Sequence, residues 1–426
     1  MNIFALVDGN NFYVSCERVF NPALINRPVV VLSNNDGCAV ARSEEAKVLD
    51  IKMGVPWFQV KSLAKRHDVI ALSSNYALYA DMSNRMMTLL GQLAPRQEIY
   101  SIDECFLGFD GLNTDLTRRG QIIRQRIKHW LGLPVCVGIG PTKTLAKLAN
   151  HIAKKQPHWS GVCNLGVLSG PVLDRLLAAV DVGDVWGIGR RTREKLSRLN
   201  INTALALKQA DTDLIGSLFP VTVKRTVMEL RGVSVLRLDE VIPPRQQILC
   251  SRTFGMPVTQ HTELREAVTS YITRGAEKLR GQSSLAQAVH VYIRTNPHRK
   301  KDAQYHQGIT IALTEPTSDT IKLVQAGLWG LQRIYRPGYR YNKAGIMLMN
   351  LIPVSLRQAA LVTDDKSGMH KTALLTETID AVNRRMGRDA LFLAGAGIAK
   401  CWHMRRQYKS LGYTTDWKEL AVAYCH

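Results

Sequence analysis

Short apolar strands alternate with helical segments over the first 165 residues. Residues 2–7 form an apolar run that ends at Asp8, and residues 98–109 are predicted to be two strands joined by a tight turn around Asp103 and Glu104. Strands that alternate with helices predict an α/β layer, in which helices pack on a sheet. Further strands are predicted at 27–33 and 133–140, and helices at 10–22, 76–93, 114–131 and 142–155.

The remainder of the chain changes character three times. Residues 165–235 have a helical pattern with no convincing strand, and 236–245, which include two prolines, are predicted to be a linker. Between 247 and 351 the predicted order is β-α-β-β-α-β, the split-βαβ arrangement. After 353 a polar stretch precedes an amphipathic helix closed by Gly387, and a basic and aromatic tail follows. The sequence therefore predicts an α/β (α+β) multidomain chain.

The charge is strongly positive and unevenly distributed. The chain has 56 Lys and Arg against 35 Asp and Glu, a formal +21. The first 110 residues hold ten Lys and Arg against twelve Asp and Glu, a balance of −2, so the remainder carries +23. Such an excess indicates a polyanionic partner, most often nucleic acid and less often an acidic membrane.

Other sequence features exclude several classes of protein. A hydrophobic fraction of 46% and a charged fraction of 21% exclude a disordered chain. No apolar run approaches the length of a membrane span, and the N-terminus lacks the pattern of a signal peptide. The eight cysteines are scattered without a CxxC pair, which argues against a zinc site and favours a reduced, cytoplasmic compartment.

Three carboxylates are candidates for catalysis. Asp8 ends a predicted strand, and Asp103 and Glu104 lie at the turn of a predicted hairpin. Acids that meet at one sheet edge repel one another unless cations lie between them, and Mg²⁺ prefers oxygen ligands. Two such ions can stabilise the attacking and leaving oxygens of a phosphoryl transfer. The alternative is that Asp8 caps a turn and the acidic pair is a solvated hairpin tip.

Aromatic and basic side chains accompany these acids. Phe12 and Tyr13 follow Asp8 by about one helical turn, where a rigid ring could exclude the 2′-hydroxyl of a sugar, although both could simply be core residues. Lys47 lies on a helix that opens at a capping serine, and Lys154 lies on the predicted basic helix. Either lysine could contact a triphosphate or belong to a solvated face.

Residues 185–189, Val-Trp-Gly-Ile-Gly, have the pattern of a helix-hairpin-helix turn. A Gly-x-Gly hairpin exposes backbone N–H groups, and the helix that begins at Arg190 and Arg191 adds its dipole, so that the two together can bind a DNA phosphate. An ordinary turn between helices is the alternative.

Together these motifs resemble the Y-family translesion DNA polymerases, and among them the UmuC-type catalytic subunits. The similar segments run from VDGNNFYVSCE through EIYSIDECF, GIGPTKTLAKLANHIAKK and VWGIGRR to LFLAGAGIAKCW. The resemblance implies a right-hand polymerase fold. Its expected parts are a palm with fingers at 1–165 (fingers about 20–75), a helix-hairpin-helix thumb at 166–235, a split-βαβ little finger at 246–352 and a UmuC-type extension at 353–426.

The resemblance also implies roles for individual residues. Asp8, Asp103 and Glu104 would be catalytic and would bind two Mg²⁺ ions together with the Gly9 carbonyl. Tyr13 would be the steric gate with Phe12 beneath the sugar. The remaining assignments are Lys47 and Lys154 to the triphosphate, and Trp186, Gly187, Gly189, Arg190 and Arg191 to the DNA backbone. Two positions depart from the family pattern, Glu44 in place of a tyrosine that contacts the triphosphate and Cys105 in place of a small alanine.

The implied activity is error-prone DNA synthesis in SOS-type damage tolerance and mutagenesis, in the bacterial cytoplasm at the nucleoid. The implied partners are primer-template DNA, a dNTP, a UmuD′-type dimer, RecA and a sliding clamp, with no membrane. The expected clamp peptide includes Gln358, Leu361 and Val362 but lacks a terminal aromatic, so weak clamp binding is expected. Two other functions stay open: a non-catalytic DNA-binding checkpoint protein that keeps the polymerase fold, and a nucleotide cyclase with a similar palm.

Overall fold

A computed structural model describes residues 2–112, 114–240, 243–356, 366–387, 389–400 and 402–420. The chain divides into two compact units. The first unit comprises 1–33, 37–242 and 408–426, and the second comprises 34–36 and 243–407. The four-part division at 165, 235 and 352 stays a prediction.

The strands of the first unit form two sheets. They are β1 (Phe4–Gly9), β2 (Val29–Leu32), β3 (Ala39–Arg42), β4 (Ile70–Ser73), β5 (Arg96–Ile99), β6 (Glu104–Gly108), β7 (Val135–Gly140) and β8 (Val162–Asn164). Five of these described strands form a sheet in the order β5-β6-β1-β7-β8, with β1 in the middle and antiparallel to both neighbours. Strands β3, β2 and β4 form a smaller sheet.

Helices cover both faces of the sheet around β1. They are α1 (Phe12–Phe20), α2 (Glu44–Val48), α3 (Trp57–Arg66), α4 (Tyr76–Gly91), α5 (Leu116–Leu131) and α6 (Lys143–Lys155). Ala5 and Val7 of β1 pack in one core cluster, whereas Phe4 and Leu6 pack in another. A strand buried on both faces is apolar throughout, which explains the unbroken apolar run before Asp8. Helix α6 lies so close to β7 that a Cβ on Gly138 would be 2.1 Å from the Asn150 nitrogen.

The described residues from 165 to 235 contain helices and no strand, as predicted. The helices are α7 (Gly170–Ala178), α8 (Arg190–Ser197), α9 (Ala204–Gln209), α10 (Thr212–Leu218) and α11 (Val221–Leu230). Their apolar faces share a core with α6.

The second unit has the predicted β-α-β-β-α-β order. Its elements are β9 (Ile248–Val258), α12 (His261–Gly281), β10 (Ser284–Thr295), β11 (His306–Thr317), α13 (Thr320–Ile334), β12 (Tyr341–Met349), β13 (Ile352–Pro353) and α14 (Lys366–Met386). The sheet runs β11-β10-β12-β9, and α12 and α13 pack on it. Val289, Val291 and Ile293 of β10 are buried, which confirms the predicted alternation.

The amphipathic helix of the tail ends where predicted. Helix α14 ends at Met386, and Gly387 follows with φ 101°, the left-handed conformation that glycine adopts readily. None of the described helices is long and apolar enough to span a bilayer. The residues of the expected clamp peptide, Gln358, Leu361 and Val362, lie outside the described residues.

Candidate active site

The backbone brings the predicted carboxylates to one end of the central strand pair. Asp8 is the direct partner of Glu104 in the antiparallel pairing of β1 with β6. The Gly9 N–H donates to the Asp103 carbonyl over 2.9 Å, which fixes the turn before β6 against the end of β1. The Ser101 hydroxyl donates to Asp103 Oδ1 over 2.7 Å. The backbone therefore places Asp8 beside Glu104, with Asp103 in the turn before β6, and the catalytic role of the three acids stays a prediction.

The acids influence one another electrostatically. The pKa of Asp8 is raised to about 6, mainly by burial; Lys154 opposes the rise, and the charges of Glu104 and Asp103 add to it. The Asp8 side chain is 13% exposed. Like charges at a buried site favour the protonated acid unless a cation compensates. Burial is therefore the main reason that the neutral form of Asp8 is favoured, with the neighbouring acids adding to it and Lys154 opposing it.

One face of α6 supplies those lysines. Lys154 Nζ lies 2.6 Å from Asp8 Oδ2, and Lys147 Nζ lies 2.8 Å from both oxygens of Glu104. Lys143 Nζ lies 2.6 Å from Glu98 Oε2. Residues spaced i, i+4 and i+11 share one helix face, so this row of lysines faces a row of acids. Sequence reasoning had assigned a role to Lys154 but missed the pairings of Lys147 and Lys143, which the helical spacing could have suggested.

The acids are hydrogen-bonded to protein donors in this structure. Within the described residues, no cluster of three or more His, Cys, Asp or Glu side chains is arranged as a preformed metal site. Lys154, Lys147 and Ser101 each contact one of the three carboxylates. The donor set nevertheless fits a hard divalent cation, because carboxylate oxygens are the ligands that Mg²⁺ prefers and Asp8 and Glu104 are direct partners on paired strands.

Two aromatic residues form a wall beside the acids. The Phe12 ring is buried beneath Gly9, and a Cβ on Gly9 would lie 2.8 Å from Phe12 Cδ2, so glycine is required there. Tyr13 is half-buried and stacks on Tyr79, with ring centroids 4.4 Å apart and planes 13° from parallel. The edge of Tyr76 meets both rings. Sequence reasoning missed this bracing of Tyr13, since α4 is distant in the chain.

Lys47 reaches the start of α1 through Glu44. The Glu44 Oε1 atom accepts from Lys47 Nζ at 2.7 Å and from Asn11 Nδ2 at 3.0 Å. These hydrogen bonds lower the pKa of Glu44 against the raising effect of burial. Asn11 is the residue before α1 and has a left-handed backbone, φ 47°. Glu44, which departs from the family pattern, therefore forms an ion pair with Lys47 next to the N-terminus of α1.

The glycine hairpin at 185–189 is anchored by its tryptophan. Trp186 packs on Phe106 and Tyr100, and its indole N–H donates to the Tyr100 hydroxyl over 3.2 Å. Gly187 has φ 88°, a turn conformation that strains other residues. Gly189 is the residue before α8, and the Arg190 side chain is 88% exposed. The hairpin backbone and its arginines thus face solvent while Trp186 fixes the turn to β6.

Four models of known families match the chain. The impB/mucB/samB family matches residues 7–151, and the C-terminal domain of that family matches 245–361. The HHH motif of the IMS family matches 173–201, and a domain of unknown function matches 373–423.

Individual proteins agree with these matches. The chain is 45% identical over 421 residues to the protein UmuC of Salmonella typhimurium strain LT2, which covers 98% of this chain and 99% of the relative. It is 26% identical over 397 residues to a DNA polymerase IV of Oceanobacillus iheyensis, with 90% of each chain covered. A solved Y-family DNA polymerase chimera of Dbh and Dpo4 shares the fold with a TM-score of 0.64 at 20% identity, over 82% of this chain and 99% of that chain. These matches confirm the resemblance found in the motifs: the chain belongs to the impB/mucB/samB family, and its fold is that of the Y-family DNA polymerases.

Proposed function

We propose that this chain is an error-prone, template-directed translesion DNA polymerase. The observation that carries the proposal is the joint position of Asp8 and Glu104 on paired strands, with Tyr13 at the start of the next helix and Lys154 beside Asp8. In the reaction, a primer 3′-hydroxyl attacks the α-phosphate of a dNTP and pyrophosphate leaves. The Dbh and DNA polymerase IV relatives support the proposal through their names.

Lys154 and Lys47 would bind the triphosphate. Lys154 already contacts a reacting-site carboxylate, and Lys47 lies beside the N-terminus of α1 through Glu44. A helix N-terminus favours negative charge, because its backbone N–H groups and its dipole both point toward an anion. A triphosphate bound between the two lysines would draw Lys47 away from Glu44. The ammonium group of Lys47 would then neutralise part of the triphosphate charge.

Asp8, Asp103 and Glu104, with the Gly9 carbonyl, would hold two Mg²⁺ ions. When bound, Mg²⁺ supplies stabilisation of charge on the attacking and leaving oxygens. The protein's own contribution is preorganisation, since Ser101 orients Asp103 and the α6 lysines hold Asp8 and Glu104 in place. Burial of the site strengthens each of these electrostatic interactions.

Tyr13 would select the sugar, with Phe12 beneath it. A side chain excludes a 2′-hydroxyl only if it cannot move aside, and the stack on Tyr79 restricts the Tyr13 ring. Phe12 is held by its fit beneath Gly9. Both residues begin the helix that follows β1 after two residues, so the wall is close in the chain to the strand that carries Asp8.

DNA would be bound through its backbone by the glycine hairpin and the basic remainder of the chain. Gly187 and Gly189 offer N–H groups, Arg190 and Arg191 offer exposed charge, and Trp186 would act by anchoring the hairpin. The +23 carried after residue 110 suits a duplex partner, whose binding weakens steeply with salt.

The cellular setting follows from family membership as part of the proposal. We expect the protein to act in the bacterial cytoplasm at the nucleoid, in SOS-type mutagenesis, with a UmuD′-type dimer and RecA. Contact with a sliding clamp through Gln358, Leu361 and Val362 would be weak, because the peptide lacks a terminal aromatic.

The test is a double substitution, Asp103→Asn with Glu104→Gln, in the full chain. Primer extension should vanish while duplex binding, followed by fluorescence anisotropy at fixed salt, stays near that of the unaltered protein. The matched control, Asp50→Asn with Asp213→Asn, removes two charges from side chains that are 85% and 91% exposed and should extend primers normally. Metal-dependent extension that persists in the first variant would refute the proposal in favour of a site elsewhere. If the unaltered protein binds DNA but does not extend primers, the non-catalytic alternative is favoured. If it produces a cyclic nucleotide, a cyclase is favoured.

A further inference from the structure

Residues 408–413, called here the tail segment, pack against the end of β4 in the first unit. The Ser73 N–H donates to the Tyr408 carbonyl over 2.9 Å, and the Tyr408 N–H donates to the Ser73 hydroxyl over 2.9 Å. The side-chain amide of Asn75, which is buried, donates to the Ser410 hydroxyl and to the Leu411 carbonyl, each over 3.0 Å. These contacts extend the small sheet by one bridge.

The tail segment also lies along one face of α1. Tyr13, Glu17 and Phe20 are spaced i, i+4 and i+7, so they share that face. The Ser410 hydroxyl donates to Glu17 Oε1 over 3.0 Å. The Tyr413 ring stacks on Phe20 with centroids 4.9 Å apart and planes 8° from parallel.

Glu17 connects the tail segment to the ring that braces Tyr13. The Tyr79 hydroxyl donates to the same Glu17 Oε1 over 2.7 Å, and both side chains are almost fully buried. Burial raises the pKa of Glu17, whereas the hydrogen bonds from Tyr79 and Ser410 lower it. The Tyr79 ring then stacks on Tyr13. A chain of contacts therefore runs from Ser410 through Glu17 and Tyr79 to Tyr13.

We propose that the tail segment is a positioning element for Tyr13, so that discrimination between deoxyribo- and ribonucleotides depends on Ser410, Glu17 and Tyr79. This inference rests on the polymerase function proposed above. It also gives a role to part of the matched domain of unknown function, which spans residues 373–423.

The physical reason is that Glu17 is buried and receives hydrogen bonds from the Tyr79 and Ser410 hydroxyls. A buried carboxylate is costly unless it is hydrogen-bonded, and Ser410 supplies one of the hydrogen bonds that Glu17 receives. Without the Ser410 hydroxyl, the Glu17 carboxylate moves toward another hydrogen-bond donor. The Tyr79 hydroxyl moves with it, because it is hydrogen-bonded to the same carboxylate. The Tyr79 ring then tilts out of its stack, and Tyr13 gains the freedom to move away from a 2′-hydroxyl.

The experiment compares dNTP and rNTP insertion opposite one template base by the full chain, with its accessory proteins present. Ser410→Ala and Tyr79→Phe should each lower the kcat/KM preference for dNTP roughly tenfold, which corresponds to about 1.4 kcal/mol. Most of the change should be faster rNTP insertion, with dNTP insertion nearly unaltered. Ser410→Thr keeps a hydroxyl and should retain the preference. Tyr413→Phe keeps the stack on Phe20 and is the control within the same segment.

A double-substitution test separates positioning from general damage. In a Tyr13→Ala background, Ser410→Ala should change sugar preference no further, because the residue that it positions is gone. Equal losses of dNTP and rNTP insertion, or a preference unchanged in both Ser410→Ala and Tyr79→Phe, would overturn the inference while leaving the polymerase intact. Thermal unfolding of each variant verifies that it folds. If the unaltered protein inserts no nucleotide, the proposed function itself is refuted.

Discussion

Replacing Lys143 with methionine should lower the free energy of unfolding of the first unit. The loss should be larger than that caused by removing any exposed charge. Lys143 and Glu98 form a buried ion pair, with side chains 4% and 8% exposed. Lys143 Nζ also donates to the Arg237 carbonyl over 3.2 Å, and Glu98 Oε2 accepts from the Asp239 N–H at 2.7 Å. The pair thus holds the chain after α11, at Arg237 and Asp239, against the start of α6 and against β5.

The expected cost follows from the groups left behind. Lys143→Met keeps the length of the side chain but leaves Glu98 charged, buried and supported by the Asp239 N–H alone among these contacts. Removing one partner of a buried pair typically costs about 3–5 kcal/mol. Adding Glu98→Gln removes the stranded charge, so the double variant should recover most of that loss.

Hydrogen exchange measured by mass spectrometry gives this free energy for the first unit alone. Amides of β6 and α6 that open with the unit should exchange about two to three and a half orders of magnitude faster in Lys143→Met. Lys52→Met, which changes a side chain that is 77% exposed, should cost less than about 1 kcal/mol. The reasoning is refuted if Lys143→Met exchanges as slowly as Lys52→Met, or if the double variant is no more protected than the single one.

Three further predictions concern the site. Tyr13→Ala should raise rNTP insertion relative to dNTP by about tenfold or more in a primer-extension assay, and an unchanged preference would locate the gate elsewhere. Because burial raises the pKa of Asp8 to about 6, protons compete with metal below that pH, so Mn²⁺ binding measured by calorimetry should weaken from pH 7 to pH 5. A constant affinity over that range, or the same pH step in Asp8→Asn, would contradict this. Arg190→Ala with Arg191→Ala should reduce the salt dependence of DNA binding by about one unit of slope per lost phosphate contact, and an unaltered slope would remove these arginines from the interface.

The parts of the fold that depend on local sequence patterns could be predicted. The apolar run before Asp8 predicted a buried strand, and the SIDECF segment predicted the hairpin that carries Asp103 and Glu104. The end of α14 at Met386 was marked by Gly387, whose positive φ ends the helix. Periodicity and turn chemistry act over a few residues, so a single sequence is enough to identify them.

Contacts between distant side chains could not be predicted in this way. No local signal connects Lys143 with Glu98, or Glu17 with Tyr79, because each pairing depends on how a helix sits on its neighbours. Trp186 is a related case, since the hairpin pattern predicts the turn but not that its indole packs on Tyr100. The spacing of the lysines on α6 could be recognised in the sequence. Their acidic partners could not, because those depend on where the strands of the sheet lie.

The tail segment gives the first unit an unusual order of assembly. Asn75 and Ser410 are 335 residues apart, and residues 243–407 of the second unit are synthesised between them. A nascent chain therefore exposes its acids and aromatic wall to the cell long before the segment that steadies the wall has left the ribosome. The covalent chain also sets the local concentration of that segment, so one proteolytic nick between the units turns an intramolecular contact into a dilute bimolecular one. If the tail segment positions Tyr13, such a cut should weaken sugar selection.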